Sequence, residues 1–118
     1  LKNKRTQNGI FFIDQAKQLI ELNYKVANFG LDEICEKLNV SNAYFSSTFK
    51  KETGTAFVKA LTTTRIDHAK KLLANVDLKT YEIATMVGFT DSNYFSFCFK
   101  KIVGISPKMY RQSLDQNE

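Results

Sequence analysis

The chain has 118 residues and a net charge of +5, and it contains no run of about 18 apolar residues. This length suits one globular domain, and the missing apolar run excludes a transmembrane helix and predicts no membrane partner. The positive charge and a pI of about 9.2 favour a polyanionic partner. Cys35 and Cys98 fall on inward helix faces and predict reduced core residues rather than a disulfide or metal pair.

The first part of the chain predicts a helix-turn-helix subdomain over residues 11–54, preceded by a linker end at 1–10. Residues 31–38 form a short amphipathic helix, for which Asn39 is a left-handed stop. Ser41 is the expected N-cap of the next helix, which ends at Gly54. An opening helix at 11–23 has an apolar side formed by Phe12, Ala16, Leu19, Ile20 and Leu22.

A linker helix is predicted within residues 55–76. Thr55 is its expected N-cap, and apolar spacing continues over 56–75. Twenty helical residues span about 30 Å, close to the ~34 Å between successive major grooves on one side of B-DNA. A rod of this length suits two recognition helices one DNA turn apart.

Two polar residues of this helix are given structural roles. Arg65 is expected to pair with Glu33 or Glu82 in a hinge between the subdomains. His68 is the single histidine and is expected on the helix surface rather than as a ligand.

A second helix-turn-helix subdomain is predicted over residues 77–113, followed by a tail at 114–118. Thr80 is the expected cap of its first helix, Gly88 the stop and Asp91 the N-cap of the next helix. Ser106 and Pro107 open a last helix. The sequence therefore predicts an all-α fold of seven helices, with two helix-turn-helix subdomains joined by a long linker helix and no strand.

The two subdomains are copies of one unit. Residues 44–54 recur as 94–104 at an offset of 50, and seven of the eleven positions are identical. Residues 33–39 pair with 82–88 at an offset of 49. Internal repetition on this scale marks a duplicated supersecondary unit.

The outward face of the second helix in each unit suits the major groove of double-stranded DNA. Small polar residues lie beside a Lys-Lys pair, as expected of a recognition helix. The alternative is a solvated helix face, but duplication of the outward Ser and of the lysines favours DNA binding. The outward residues are Ala43, Ser46, Ser47 and Lys50 in the first unit and Asn93, Ser96, Phe97 and Lys100 in the second.

Further residues are candidates for phosphate contacts. Lysines neutralise phosphate, and the amides of a helix start also bind it. No Ser/His/Asp set, metal-spaced His/Cys cluster or glycine-rich phosphate loop is found, so no enzyme, cofactor or metal is predicted. A basic helical protein-interaction module is the competing hypothesis. The phosphate candidates are Lys50, Lys51, Lys100, Lys101, Ser106 and Lys108.

The motifs of the second unit resemble the AraC/XylS family of transcription regulators. The match covers about Phe11–Arg111, and its first part is most similar to the output domains of two-component response regulators. This resemblance implies a phosphorylatable receiver domain upstream of Leu1, RNA polymerase as a partner and a cytoplasmic location. A ligand-responsive regulator with an upstream effector-binding domain is the alternative. The motifs are Gly88-Phe89, Tyr94-Phe95-Ser96, Phe99-Lys100-Lys101, Gly104-Ile105-Ser106-Pro107 and Tyr110-Arg111.

The resemblance also implies which residues read bases. These are Ala43, Ser46 and Ser47 in the first unit, and Asn93, Ser96 and Phe97 in the second. The chain departs from the family pattern at Phe97, where Arg is frequent, and Ala43 and Ser47 are smaller than many family readers, so neither helix has a strong bidentate guanine reader. Phe97 either touches thymine methyl groups or packs against Tyr94 or Lys101 without reading DNA.

Overall fold

The computed structural model of the chain describes residues 2–116, with side chains for residues 11–115. This part of the chain contains seven α-helices and no β-strand, which confirms the predicted all-α fold. The helices are α1 (Lys2–Asn23), α2 (Leu31–Leu38), α3 (Asn42–Thr53), α4 (Phe57–Leu72), α5 (Thr80–Met86), α6 (Ser92–Val103) and α7 (Pro107–Gln116).

Three helices have bounds that differ from the prediction. Helix α1 begins at Lys2 rather than Phe11, and α7 continues to Gln116, into the expected tail. Residue 1 and residues 117–118 lie outside the described residues. Helix α4 has 16 residues, which span about 24 Å rather than 30 Å. It ends early because the amides of Ala74 and Asn75 bond to carbonyls three residues back and tighten the chain into a turn.

The chain divides into two compact units. Unit 1 comprises Leu1–Asn23 and Phe29–Leu61, and unit 2 comprises Tyr24–Asn28 and Thr62–Glu118. Each unit contains one helix-turn-helix, formed by α2 and α3 in unit 1 and by α5 and α6 in unit 2. Helix α4 contributes residues to both units, and the subdomain bounds inferred from the sequence stay a prediction.

Unit 1 has an aromatic core. Phe45 and Phe49 on α3 pack edge-on against Phe57, at ring-centroid distances of 5.3 and 5.9 Å. Leu22 was expected on the inner side of α1 but is 78% exposed, because the buried side of that helix runs through Ile13, Ala16 and Ile20. The buried side chains of unit 1 are Ile13, Ala16, Ile20, Phe29, Ile34, Cys35, Phe45, Phe49, Phe57 and Leu61.

Unit 2 has an aliphatic and aromatic core. Phe95 and Phe99 on α6 are fully buried, and Phe99 also packs edge-on against Tyr110 of α7 at 5.6 Å. Ile102 was expected to face inward but is 38% exposed, since it lies in the last turn of α6. The buried hydrophobic side chains of unit 2 are Tyr24, Ile66, Ala69, Leu73, Ile83, Ala84, Val87, Phe89, Phe95, Cys98 and Phe99.

Two predicted N-caps are wrong. Helix α4 begins at Phe57, so Thr55 lies one residue too early to cap it, and the Thr55 amide instead donates to the Thr53 hydroxyl at 3.2 Å. Thr80 is already the first residue of α5, and the amide of Lys79 before it donates to the Glu82 carboxylate at 3.1 Å. The Glu82 carboxylate, in the third position of the helix, therefore satisfies the amide of the residue before the helix, as in one half of a capping box.

Candidate DNA-binding interface

Helix α3 is fixed at both ends and along one side. The Ser41 hydroxyl accepts a hydrogen bond from the Tyr44 amide at 3.1 Å, which confirms Ser41 as the N-cap. At the other end Gly54 has a φ of +78°, and its amide bonds to the Lys50 carbonyl at 2.8 Å. Because Phe45 is completely buried on the inner side, the helix cannot rotate without exposing an aromatic ring.

The opposite side of α3 brings the predicted readers and lysines of unit 1 together on one solvent-exposed face. Ala43, Ser46, Ser47, Lys50 and Lys51 are all exposed. Their spacing of three and four residues places them in adjacent rows of the helix surface. This face presents small groups near the helix start and positive charge at its end.

A hydrogen bond also ties α3 to the first helix of its own motif. The Asn42 side-chain amide donates to Oδ1 of Asp32 on α2, at 2.7 Å. The turn between these helices closes with Asn39 in the left-handed region at φ 56° and ψ 49°, as predicted. Both features fix the angle at which α3 leaves the turn.

Helix α6 is held in the same way. The Asp91 carboxylate accepts hydrogen bonds from the amides of Asn93 at 2.8 Å and Tyr94 at 3.3 Å, which confirms this N-cap. Gly104 ends the helix with a φ of +99° and a 2.8 Å bond from its amide to the Lys100 carbonyl. A carboxylate at a helix start is also favoured by the helix dipole.

The exposed side of α6 differs from that of α3 at one position above all. Asn93, Lys100 and Lys101 are exposed and Ser96 is half-buried. The Phe97 ring stacks on Tyr94 at 6.3 Å with an interplanar angle of 19°, and it is nevertheless 62% exposed. Of the two alternatives, packing against Tyr94 is observed, but it leaves most of the ring open to solvent.

The remaining phosphate candidates lie at the start of α7. The Ser106 hydroxyl accepts a hydrogen bond from the Met109 amide at 3.1 Å, so it acts as the N-cap of α7. Lys108 is exposed in the first turn. The phosphate role of both residues stays a prediction, and any contact from Ser106 would use an already bonded hydroxyl.

The expected ion pair of Arg65 is wrong. Its Nε donates to the Tyr24 carbonyl at 2.8 Å and a terminal nitrogen donates to the Val26 carbonyl at 3.0 Å. The guanidinium therefore holds the backbone of the segment between α1 and α2. Burial lowers the pKa of Arg65, but the group stays charged at neutral pH.

An equivalent residue in α7 was not predicted to have a structural role. Arg111 donates from Nε to the Leu73 carbonyl at 3.0 Å and from a terminal nitrogen to those of Asn75 at 3.1 Å and Leu78 at 2.6 Å. It holds the segment between α4 and α5. The sequence did show an Arg in the helix after each recognition helix, in α4 and in α7. Its hydrogen-bond partners could not be predicted, because every residue has a backbone carbonyl.

His68 is less exposed than the predicted surface position. Its ring stacks on Tyr24 with centroids 4.0 Å apart and an interplanar angle of 10°, and the side chain is half-buried. Stacking of an imidazole on a phenol ring buries apolar surface of both. His68 is therefore a packing residue of unit 2.

The cysteines are core residues, and the lysines of the recognition helices lie at helix ends. Cys35 and Cys98 are free thiols in the core, as predicted. Burial, and then the Asp32 carboxylate, raise the pKa of Cys35, so this thiol stays protonated at neutral pH. Lys50 and Lys51 in α3, and Lys100 and Lys101 in α6, occupy last turns, where the helix dipole favours positive charge.

The described residues include neither a metal-binding cluster nor a membrane-spanning helix. No group of three or more His, Cys, Asp or Glu side chains is placed to hold a metal ion. No helix in this part of the chain is both long and apolar enough to cross a membrane.

Comparison with known proteins identifies the family. The family described as "Helix-turn-helix domain" matches residues 34–113. The C-terminal domain of the two-component response regulator yesN from Fusobacterium nucleatum is 44% identical, with a TM-score of 0.80 over 83% of this chain and 95% of that one. The C-terminal domain of AraT, a response regulator from Geobacillus stearothermophilus, is 37% identical, with a TM-score of 0.83 over 86% of this chain and 84% of that one.

A curated full-length relative extends well beyond this chain. The raffinose operon transcriptional regulatory protein RafR of Pediococcus pentosaceus is 36% identical over 99 residues, which is 84% of this chain and 35% of that protein. The chain therefore spans about a third of the length of that relative. The duplicated unit, the two exposed faces and these matches agree, and the chain belongs to the AraC/XylS family of helix-turn-helix DNA-binding domains of transcription regulators.

Proposed function

We propose that this chain binds double-stranded DNA sequence-specifically through α3 and α6, which enter adjacent major grooves, as the output domain of a phosphorylation-controlled response regulator. The observation that carries the DNA-binding part is the recurrence of one exposed face on two separately braced helices. A face that was only solvated would not need the same outward serine, Ser46 or Ser96, and the same Lys-Lys pair in both copies. In this proposal DNA and RNA polymerase are the partners, and the location is the cytoplasm.

The roles of individual residues follow from the chemistry of the faces. Ala43, Ser46 and Ser47 would read bases from α3, and Asn93, Ser96 and Phe97 from α6. Lysines reach phosphates and position the helix, whereas only contacts to base edges carry sequence information. The proposed phosphate contacts are Lys50, Lys51, Lys100, Lys101, Ser106 and Lys108.

A direct test uses the isolated chain and a duplex selected from a random pool. We expect fluorescence anisotropy to show specific binding that weakens steeply between about 50 mM and about 200 mM salt. Footprinting should show two protected blocks about 10 bp apart on one chain's site. Inserting about 5 bp between the blocks turns one to the far side of the helix, so affinity should fall to that of a single unit.

The same experiment separates DNA binding from the competing protein-interaction module. Binding that an unrelated duplex competes away equally well would contradict sequence-specific recognition. A palindromic footprint that needs two chains, or an affinity unchanged by the insertion, would contradict adjacent grooves.

The response-regulator part is supported by the similarity to the yesN and AraT domains. The similarity to the raffinose operon regulator favours the second candidate, a ligand-responsive regulator with an upstream effector-binding domain. Treating the full-length protein with a small phosphoryl donor distinguishes them. We expect tighter binding to the selected duplex after phosphorylation, and an unmodified protein with unchanged affinity would favour the ligand-responsive candidate.

A further inference from the structure

A pair of exposed aromatic rings distinguishes the second recognition helix from the first. Tyr94 and Phe97 on α6 are 56% and 62% exposed, and their rings stack 6.3 Å apart. At an offset of 50, the corresponding residues of α3 are Tyr44 and Ser47, so the first helix has only one of the two rings. Such large apolar groups beside each other on an exposed face indicate a contact surface.

The ring pair is anchored to the core of unit 2. Tyr94 lies against the buried Phe89 at 6.1 Å, and Phe89 packs edge-on against the fully buried Phe95 at 5.2 Å. Phe97 therefore rests on a ring that is itself braced from below. A side chain held in this way loses little conformational freedom when it binds, which favours its use as a contact.

The chemistry of the rings selects one feature of DNA. Phe97 has no hydrogen-bonding group, so it cannot read the donors and acceptors of base edges. The C5-methyl of thymine is the apolar group that base pairs present in the major groove. Asn93 lies one turn before Phe97 in the same row of α6, and asparagine pairs bidentately with adenine.

We propose that α6 reads thymine C5-methyl groups through the Tyr94–Phe97 ring pair, and that α3, with Ser47 at the matching position, does not depend on them. This inference rests on the proposed function, because it assumes that α6 enters the major groove. It identifies Phe97 and Tyr94 as specificity-determining residues for thymine.

Replacing thymine by deoxyuridine tests the inference, since this change removes the methyl and leaves every hydrogen-bonding group. In the selected duplex, we expect replacement of one or two thymines in the block read by α6 to weaken binding of the wild-type chain about fourfold each, as for loss of one buried methyl. In Phe97→Ser, which leaves Tyr94 as the only ring of the pair, the same replacements should weaken binding much less than in the wild-type chain. Ser47→Ala is the matched variant in α3: as a change in a candidate reader it can alter the overall affinity, but the loss caused by each deoxyuridine in the block read by α6 should stay that of the wild-type chain.

Phe97→Leu provides a second variant, since it preserves an apolar side chain and should retain most of the methyl sensitivity. Thermal melts of each variant verify that it is folded, as expected for a change at an exposed position. The inference is overturned if no deoxyuridine replacement weakens binding while the site is still recognised, or if Phe97→Ser keeps the wild-type sensitivity. Failure of the wild-type chain to select any site would instead contradict the proposed function.

Discussion

The two recognition helices share their scaffold and differ on the face that they expose. Both α3 and α6 have 12 residues, and both end at a glycine of positive φ whose amide bonds to a lysine carbonyl at 2.8 Å. On the exposed faces, Ala43 and Ser47 of α3 correspond to Asn93 and Phe97 of α6. The buried phenylalanines, the glycine stop, the outward serine and the Lys-Lys pair are the same in both helices, whereas these two outward positions differ. This is the pattern expected of two helices that contact phosphates alike and read different bases.

In each unit an aromatic ring packs under the start of the recognition helix, but the two rings come from different places in the sequence. In unit 2 the turn carries an extra residue, and Phe89 within it packs against Tyr94 and Phe95. In unit 1 the ring against Tyr44 and Phe45 comes from Phe12 of α1, at 5.8 and 5.6 Å. An aromatic brace under the start of the recognition helix is therefore present in both units, although the residue that supplies it is not part of the sequence repeat.

The largest expected effect tests whether the two cores are equivalent. Phe49→Ala and Phe99→Ala should each lower the free energy of unfolding by about 3–5 kcal/mol, because each deletes a buried aromatic ring and leaves a cavity. Phe49 is 1% exposed and Phe99 is 0% exposed, so similar losses are expected. Urea denaturation measures them. A loss below about 1 kcal/mol for either variant would show that its helix is not held by that ring.

The next prediction compares two glycines that have similar φ angles and different surroundings. Gly88 and Gly104 have nearly the same φ, +102° and +99°. A Cβ at Gly88 would lie 2.3 Å from the Tyr24 carbonyl oxygen and 2.8 Å from Nε of Arg65, whereas a Cβ at Gly104 would meet nothing within 4 Å. Both alanine variants carry the left-handed strain of about 1–2 kcal/mol, but only Gly88→Ala also forces atoms apart.

We therefore expect Gly104→Ala to cost about 1–2 kcal/mol and Gly88→Ala about 3 kcal/mol or more in unfolding free energy. Urea denaturation under identical conditions compares them. Equal losses would mean that the segment carrying the Tyr24 carbonyl moves aside freely and does not constrain the turn.

Much of the scaffold follows from the sequence because its signals are local. The spacing of Phe45 and Phe49 gives the inner side of α3, and Ser41 before that helix gives its start. The predictions that were wrong concern side chains whose exposure depends on residues distant in sequence. Leu22 has helical spacing with the apolar residues of α1, but it falls beyond the surface that the rest of unit 1 covers.

In the candidate site, too, some features were predictable from the sequence and others were not. The outward direction of these candidate residues was predicted from helical spacing, and it is a consequence of the buried phenylalanines on the other side. Their role as base readers is what the family resemblance implies. The partners of Arg65 were not predictable, because backbone carbonyls are present at every residue and no sequence pattern marks a free one. The exposed stack of Phe97 on Tyr94 is an intermediate case, in which the contact was foreseen but not its anchoring by Phe89.

A smaller effect compares the two arginines that hold connecting segments. Arg111 bonds to three carbonyls and Arg65 to two. Replacement by Met retains the apolar part of the side chain and removes the charged hydrogen bonds. A buried hydrogen bond of a charged group contributes about 1.5–3 kcal/mol to the free energy of unfolding, and it contributes less where water can take the place of the donor. We expect a loss of about 2 kcal/mol for Arg111→Met and somewhat less for Arg65→Met, measured by thermal and urea denaturation. Unchanged stability in both would show that water satisfies these carbonyls equally well.

The smallest effects concern DNA and leave stability unchanged, since the residues are exposed. Lys51→Ala and Lys101→Ala should each reduce the slope of log affinity against log salt by about one unit, because each removes one phosphate contact. Both should weaken all duplexes alike. Ser46→Ala and Asn93→Ala are the matched variants on the reading faces, and they should alter which duplex is preferred while leaving the salt slope in place.

Selection from a random pool at two salt concentrations distinguishes these classes. Because Asn93 pairs bidentately with adenine in this scheme, its loss should relax one position by about 1–3 kcal/mol, more than the loss of the single Ser46 hydroxyl. If lysine and reader variants changed sequence preference to the same extent, the lysines would be touching bases. The assignment of the lysines to phosphate contacts and of the outward residues to base contacts would then be wrong, and so would the comparison of the two faces that rests on it.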